Sequence, residues 1–148
     1  MKNREMNNNR SFEINYEDLM GRGGAFLIVP SKDGKVFSRE DFSEDQQMFA
    51  AAAEEFAIKR IRPVYKDLDN LNKKLTFEIF KEMGELGFLG IDVPEKYGGL
   101  ELDKTTACIV ADVLSKGGSA SIMVTFSAHT GIGMLPIIWY GNKLQKEK

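Results

Sequence analysis

From Ser43 to the end of the chain, apolar residues recur at three- and four-residue spacings, and nowhere do they alternate convincingly with period two. A half-buried strand needs every second side chain on one face, so this pattern argues against a sheet-based core. It predicts an all-α domain, an up-down helical bundle of about five to six helices over residues 41–148. A chain of 148 residues is long enough for one such domain with a core of its own. Residues 1–40 read as an N-terminal extension, partly disordered, with an Asn run at 7–9. Within it, Gly21-Arg22-Gly23-Gly24 reads as a turn and Ala25 to Pro30 as a short strand or packed segment. The glycine cluster lacks the spacing of a phosphate loop, and no hydrophobic strand precedes it.

The helix boundaries follow from capping chemistry. Ser43 and Gln46 have capping-box spacing, and Glu44 and Asp45 suit the positive first turn. The first helix places Phe49, Ala52, Ala53 and Phe56 on one face, and Pro63 marks its end or a kink. After the polar stretch DLDNLNKK, a second helix is expected from Thr76 to Leu86, with Phe77, Phe80 and Met83 or Gly84 as its buried stripe. Gly87 suits a left-handed C-terminal cap. A short buried connector then ends at Pro94, and Tyr97-Gly98-Gly99 is a turn whose glycines supply positive φ. Asp103 caps a third helix, Lys104 to Ser115, closed by Gly117-Gly118. An apolar fourth helix spans Ser119 to Thr130, and a fifth runs from Gly133 to Gly141 with Pro136 in its first turn. The final NKLQKEK has the composition of one more helix starting.

Composition narrows the partners. Net charge is −2 and no long basic stretch is present, which argues against nucleic acid or an anionic membrane surface. The polar N-terminus resembles neither a signal peptide nor a membrane span, so a cytoplasmic protein is expected. One cysteine and one histidine cannot form a conventional zinc cluster. Cys108 is expected to be a small buried core residue, and His129 a packed or hydrogen-bonded structural one. Trp139 and Tyr140 read as packing residues. The acid pairs Glu54-Glu55 and Glu82-Glu85 read as surface carboxylates rather than acid/base dyads.

Four segments resemble, in order and spacing, the N-terminal domain of the acyl-CoA dehydrogenase family. They are FAIKRIRP (Phe56 to Pro63), EMGELGFLGIDVPEKYGGLELD (Glu82 to Asp103), the VADVL helix core (Val110 to Leu114) and SAHTGIGMLPIIWYGNKLQKEK (Ser127 to Lys148). The leading RGGAFLI is also similar to a bacterial branch of these enzymes. The resemblance implies a helical N-terminal domain followed by a β domain and a four-helix domain, with FAD held between the latter two and an adjacent subunit. It implies α,β-dehydrogenation of a fatty acyl-CoA by a glutamate base and the flavin, in β-oxidation or related lipid metabolism. Electron-transfer flavoprotein is then the expected electron acceptor, and a homo-oligomer, dimer or tetramer, the expected assembly.

The family's flavin motif and catalytic glutamate would lie beyond Lys148. The chain is therefore expected to be a fragment truncated at its C-terminal end, inactive alone, with no catalytic residue and no bound FAD. Alternatives are a non-catalytic helical remnant that binds acyl chains or partners, and an acyl-CoA oxidase-type relative. In the family the acyl tail lies against the helix corresponding to Ser119–Thr130. Val124, Ala128 and Ile132, spaced by four, with Thr125 bordering them, are the candidate substrate-binding residues, for a medium to long chain. Ordinary core packing would produce the same stripe.

Overall fold

The computed structural model describes Leu27 and residues 38–147. Apart from Leu27, which is exposed, the expectations for residues 1–37 lie outside the described residues. The chain forms two compact units, Met1–Asp41 and Phe42–Lys148. In the first, Arg39–Asp41 form a 3-10 turn, and the Ser38 backbone N–H donates to the Asp41 carboxylate at 3.1 Å.

The second unit is built from helical rods, with no strand among the described residues, so the all-α expectation holds. The first rod comprises α1 (Glu44–Phe56), a π turn (Ala57–Ile61), a 3-10 turn (Arg62–Val64) and α2 (Tyr65–Asp69). Its start is the capping box read from sequence. Gln46 N–H donates to Ser43 Oγ at 3.2 Å, and Ser43 N–H donates to Gln46 Oε1 at 3.1 Å. Pro63 does not end the rod, but regular α-helix stops at Phe56 and the chain passes through the π turn and the 3-10 turn around Pro63 before α2 resumes. The stretch expected to be a polar link is therefore largely helical: α2 buries Leu68, and α3 (Lys73–Glu85) starts at the Asn72 cap.

α4 (Lys104–Leu114) begins at the Asp103 cap and closes in a 3-10 turn, Ser115–Gly117. The longest apolar rod comprises α5 (Ala120–Ser127), a second π turn (Ala128–Gly133) and α6 (Leu135–Tyr140). Asn142 and Gln145 form another capping box at the start of α7 (Lys143–Lys146).

α1 packs along α4, and α5 closes against both α2 and α4. Ala53, Phe56, Ala57, Ile61, Ile79, Met83, Phe88, Val110, Leu114, Ile122 and Phe126 form the core. Phe56 and Phe88 meet edge to face, ring centroids 6.0 Å apart. Each large side chain buried here contributes roughly 1.5–3 kcal/mol. Three expected core positions lie outside. Ala52 is exposed because the α1 seam runs through Gln46, Ala53, Phe56 and Ala57, about 100° away per residue. Phe77 is 76% exposed, because α3 turns Ile79 and Met83 inward instead. Cys108 is exposed, since α4 is held by Thr106, Ile109, Val110 and Val113.

The connector between α3 and α4 forms a stiff wall without being a strand pair. Gly87 takes the left-handed φ of 78° that ends α3. Phe88, Ile91 and Val93 are buried as expected. The returning segment is stitched back by Leu100 N–H to the Gly90 carbonyl (3.0 Å), Leu102 to Ile91 (2.8 Å) and Glu101 to Val93 (2.9 Å). Lys104 pairs with the largely buried Asp92 carboxylate, tying the connector to α4.

Candidate functional site

The orientation of α5 is set at its N-terminus. Ser119 caps the helix, and its hydroxyl donates to the Asp69 carboxylate of α2 at 2.7 Å. The same carboxylate oxygen accepts from the Ser121 hydroxyl at 2.7 Å and from its backbone N–H at 3.2 Å. These donors, Ser119 foremost, hold the Asp69 carboxyl below its usual range. With α5 clamped there, Ile122 and Phe126 face the core, and Val124, roughly 200° from Phe126, faces out.

Further along, hydroxyls compete for the helix carbonyls. Thr125 Oγ1 donates to the Ser121 carbonyl at 2.8 Å, and Thr130 Oγ1 to the Phe126 carbonyl at 3.0 Å. Such back-bonding disturbs the i→i−4 ladder. Two glycines of low helix propensity follow, and the rod relaxes into the π turn. The Met134 N–H then reaches the His129 carbonyl five residues back, at 3.0 Å. A π turn advances fewer degrees per residue than an α turn, which swings Ile132 back towards the line of Val124.

Val124 is 70% exposed and Ile132 is 82% exposed. Thr125 is exposed and Ala128 half-buried between them. The structure thus places the four sequence candidates on one outward side of the rod, not in the core of the chain. His129 is exposed as well, and its ring makes no hydrogen bond among the described residues. The expected packed histidine is not found. Trp139 and Tyr140, expected to pack, are also exposed; they stack edge to face on each other at 6.4 Å.

The carboxylates read as surface groups occupy ion pairs at the surface: Glu54 with Lys116 at 2.7 Å, Glu55 with Lys59, Glu82 with Arg60, and Glu85 with Lys81 at 3.8 Å. The Arg60 guanidinium holds the Glu82 carboxyl below its ordinary value of 4.5. Among the described residues, no three His, Cys, Asp or Glu side chains converge as a metal site.

Sequence reasoning missed a cavity of about 330 Å³ between the connector and α6. Leu89, Val93 and Leu100 form one wall, and Met134, Ile137 and Ile138 the other. Tyr97 and Lys146 also line it. The sequence signal was the density of glycines, since Gly84, Gly87, Gly90, Gly98 and Gly99 all line the cavity.

Residues 43–148 match the family described as "Acyl-CoA dehydrogenase, N-terminal domain". A probable acyl-CoA dehydrogenase of Bacillus subtilis (strain 168) is 38% identical over 127 residues, covering 86% of this chain and 21% of the relative. The short-chain specific mitochondrial acyl-CoA dehydrogenase of Rattus norvegicus is 33% identical, covering 88% of this chain and 32% of the relative. The crystal structure of an acyl-CoA dehydrogenase complexed with FAD from Bacillus anthracis superposes with a TM-score of 0.75 at 40% identity, over 85% of this chain and 21% of that one. The chain therefore spans about a fifth to a third of the length of these relatives.

Proposed function

This chain belongs to the acyl-CoA dehydrogenase family, and from that premise we propose that it supplies the N-terminal helical domain of an FAD-dependent enzyme that dehydrogenates a fatty acyl-CoA thioester. The observation that carries the reading is the rod Ala120–Tyr140. It runs 21 residues without an acid, lysine or arginine, and its most apolar 18-residue window has a mean hydropathy of 1.4, yet only 11% of that window is buried. By length and composition alone such a rod could cross a bilayer. The family match runs through it and the Asp69 clamp ties it to α2, so we read its outer side as a surface for further protein and for substrate.

In this reading Val124, Ala128 and Ile132, bordered by Thr125, line the far end of an acyl pocket. The three apolar side chains leave no buried polar group stranded beside an alkyl tail, which favours a medium to long chain. Flavin chemistry is not assigned to this chain. The outer side of α5 and α6 offers apolar groups and neutral hydroxyls, and no lysine or arginine to pair with a dinucleotide's pyrophosphate. FAD, the glutamate base and the contact with electron-transfer flavoprotein belong, on this proposal, to the larger enzyme, a homo-oligomer serving β-oxidation. The 148-residue chain by itself is proposed to be inactive, cytoplasmic and free of flavin.

The purified chain should show no flavin absorption in the visible. Grafting residues 43–148 in place of the matching segment of the Bacillus subtilis relative provides an enzyme for the substrate test. There, Ala128→Phe should shift the preferred acyl chain to shorter lengths. An unchanged chain-length profile would remove these residues from the pocket.

A further inference from the structure

The cavity between the connector and α6 lies outside that reading, because none of Val124, Thr125, Ala128 and Ile132 lines it. We infer that it binds an unbranched, medium-length aliphatic carboxylate, with Lys146 holding the anionic head and the apolar walls enclosing the tail. The inference concerns this chain's own residues and does not rest on the proposed enzyme.

Size and shape come first. At about 330 Å³ the space is at the small end of ligand pockets, suited to one slender molecule. Its connector wall is rigid, since three backbone hydrogen bonds of 2.8–3.0 Å pin Leu100, Glu101 and Leu102 to Gly90, Val93 and Ile91. The opposite wall is Met134, Ile137 and Ile138. The side chains of Leu89, Val93, Leu100, Met134, Ile137 and Ile138 carry no hydrogen-bonding N or O, so an alkyl tail lying against them strands no side-chain polar group.

Charge decides the head group. Lys146 is the one charged residue among the lining residues. Its neighbour Lys143 is paired with Glu147 at 3.7 Å, whereas Lys146 has no acidic partner among the described residues. A carboxylate there gains a charge-assisted hydrogen bond, a neutral head gains little, and an ammonium is repelled.

The test uses the 148-residue chain with octanoate, octanol and octylammonium, followed by calorimetry and saturation-transfer NMR. Octanoate should bind saturably at one site, with octanol and octylammonium about tenfold weaker or more. Gly84→Leu fills the cavity from α3. A Cβ there meets only Leu89 Cδ1 at 3.6 Å, an ordinary contact, and far-ultraviolet circular dichroism of the variant checks that the fold is kept. It should weaken octanoate at least about tenfold. Lys146→Gln should weaken octanoate about tenfold and leave octanol unchanged. Ile132→Ser, on the outer side, should change neither.

Equal affinity for octanoate and octylammonium would overturn the inference, as would insensitivity to both cavity variants. So would loss of binding in Ile132→Ser, which would place the ligand on the outer side of the rod, or no binding at millimolar octanoate.

Discussion

Gly98 and Gly99 sit side by side in one turn, and the structure gives them different jobs. Gly98 has a left-handed φ of 83°, and a Cβ built on it meets nothing within 4 Å. Gly99 is not among the positive-φ residues, but its Cβ would lie 2.1 Å from the Val93 carbonyl oxygen and 2.3 Å from Val93 Cβ. For Gly98→Ala the cost is the left-handed conformation, roughly 1–2 kcal/mol, less some loss of freedom in the unfolded chain, so about 1 kcal/mol net. For Gly99→Ala the backbones must separate by more than an ångström. That movement strains the bonds from Glu101 to Val93 (2.9 Å) and from Gly99 to Pro94 (3.3 Å). Overpacking of about 1–3 kcal/mol plus two weakened hydrogen bonds gives roughly 4 kcal/mol. Urea unfolding followed by far-ultraviolet circular dichroism reads both. With a slope of about 1.5 kcal/mol per molar, the midpoint should fall by about 0.7 M for Gly98→Ala and about 2.7 M for Gly99→Ala. Equal shifts, or the larger shift at Gly98, would refute the close-approach argument.

Other perturbations probe the remaining parts. Asp103→Ala should destabilise by about 1–2 kcal/mol, because it removes the α4 cap and leaves the buried Gln46 amide, now 3.2 Å from Asp103, without that acceptor. Thr106 N–H and hydroxyl, then Gln46, hold the Asp103 carboxyl below 3.8, so its charged form stabilises the fold above pH 3.8 and that stabilisation is lost as pH falls through the lowered folded value. Asp103→Asn, which keeps a capping oxygen, should therefore differ from the parent at neutral pH and converge with it in acid; a constant difference in urea melts across that range would contradict this. Ile79→Ala, at a fully buried site, should cost about 2–5 kcal/mol by the same melts. Val124→Ser with Ile132→Ser should change stability by only about 0.5 kcal/mol per site while clearly lowering the binding of an apolar fluorescent dye, since both side chains already face solvent.

The chain's helical class and several of its boundaries were legible without coordinates. Ser43 with Gln46, Asp103 and Gly87 are read correctly because each satisfies backbone groups within a few residues of itself. Such chemistry is local, and local chemistry is written in order along the chain. The family segments were legible for the same reason: a glycine-ended helix, a buried connector and a Tyr-Gly-Gly turn are contiguous. Periodicity identifies a helix but leaves its rotation uncertain by a residue, which is how Ala52 and Phe77 were assigned inward while Ile79 was overlooked. The π turn at Ala128–Gly133 depends on whether threonine hydroxyls win the carbonyls, an outcome no spacing rule contains. The Asp69–Ser119 clamp joins residues 50 apart and turns Val124 outward, and the cavity exists only where the connector meets α6. Exposure, orientation and empty space are properties of what lies opposite a side chain. The sequence alone therefore determined which segments are helices and where several of them start and stop, while the tertiary structure decided which faces they hide and which they leave open.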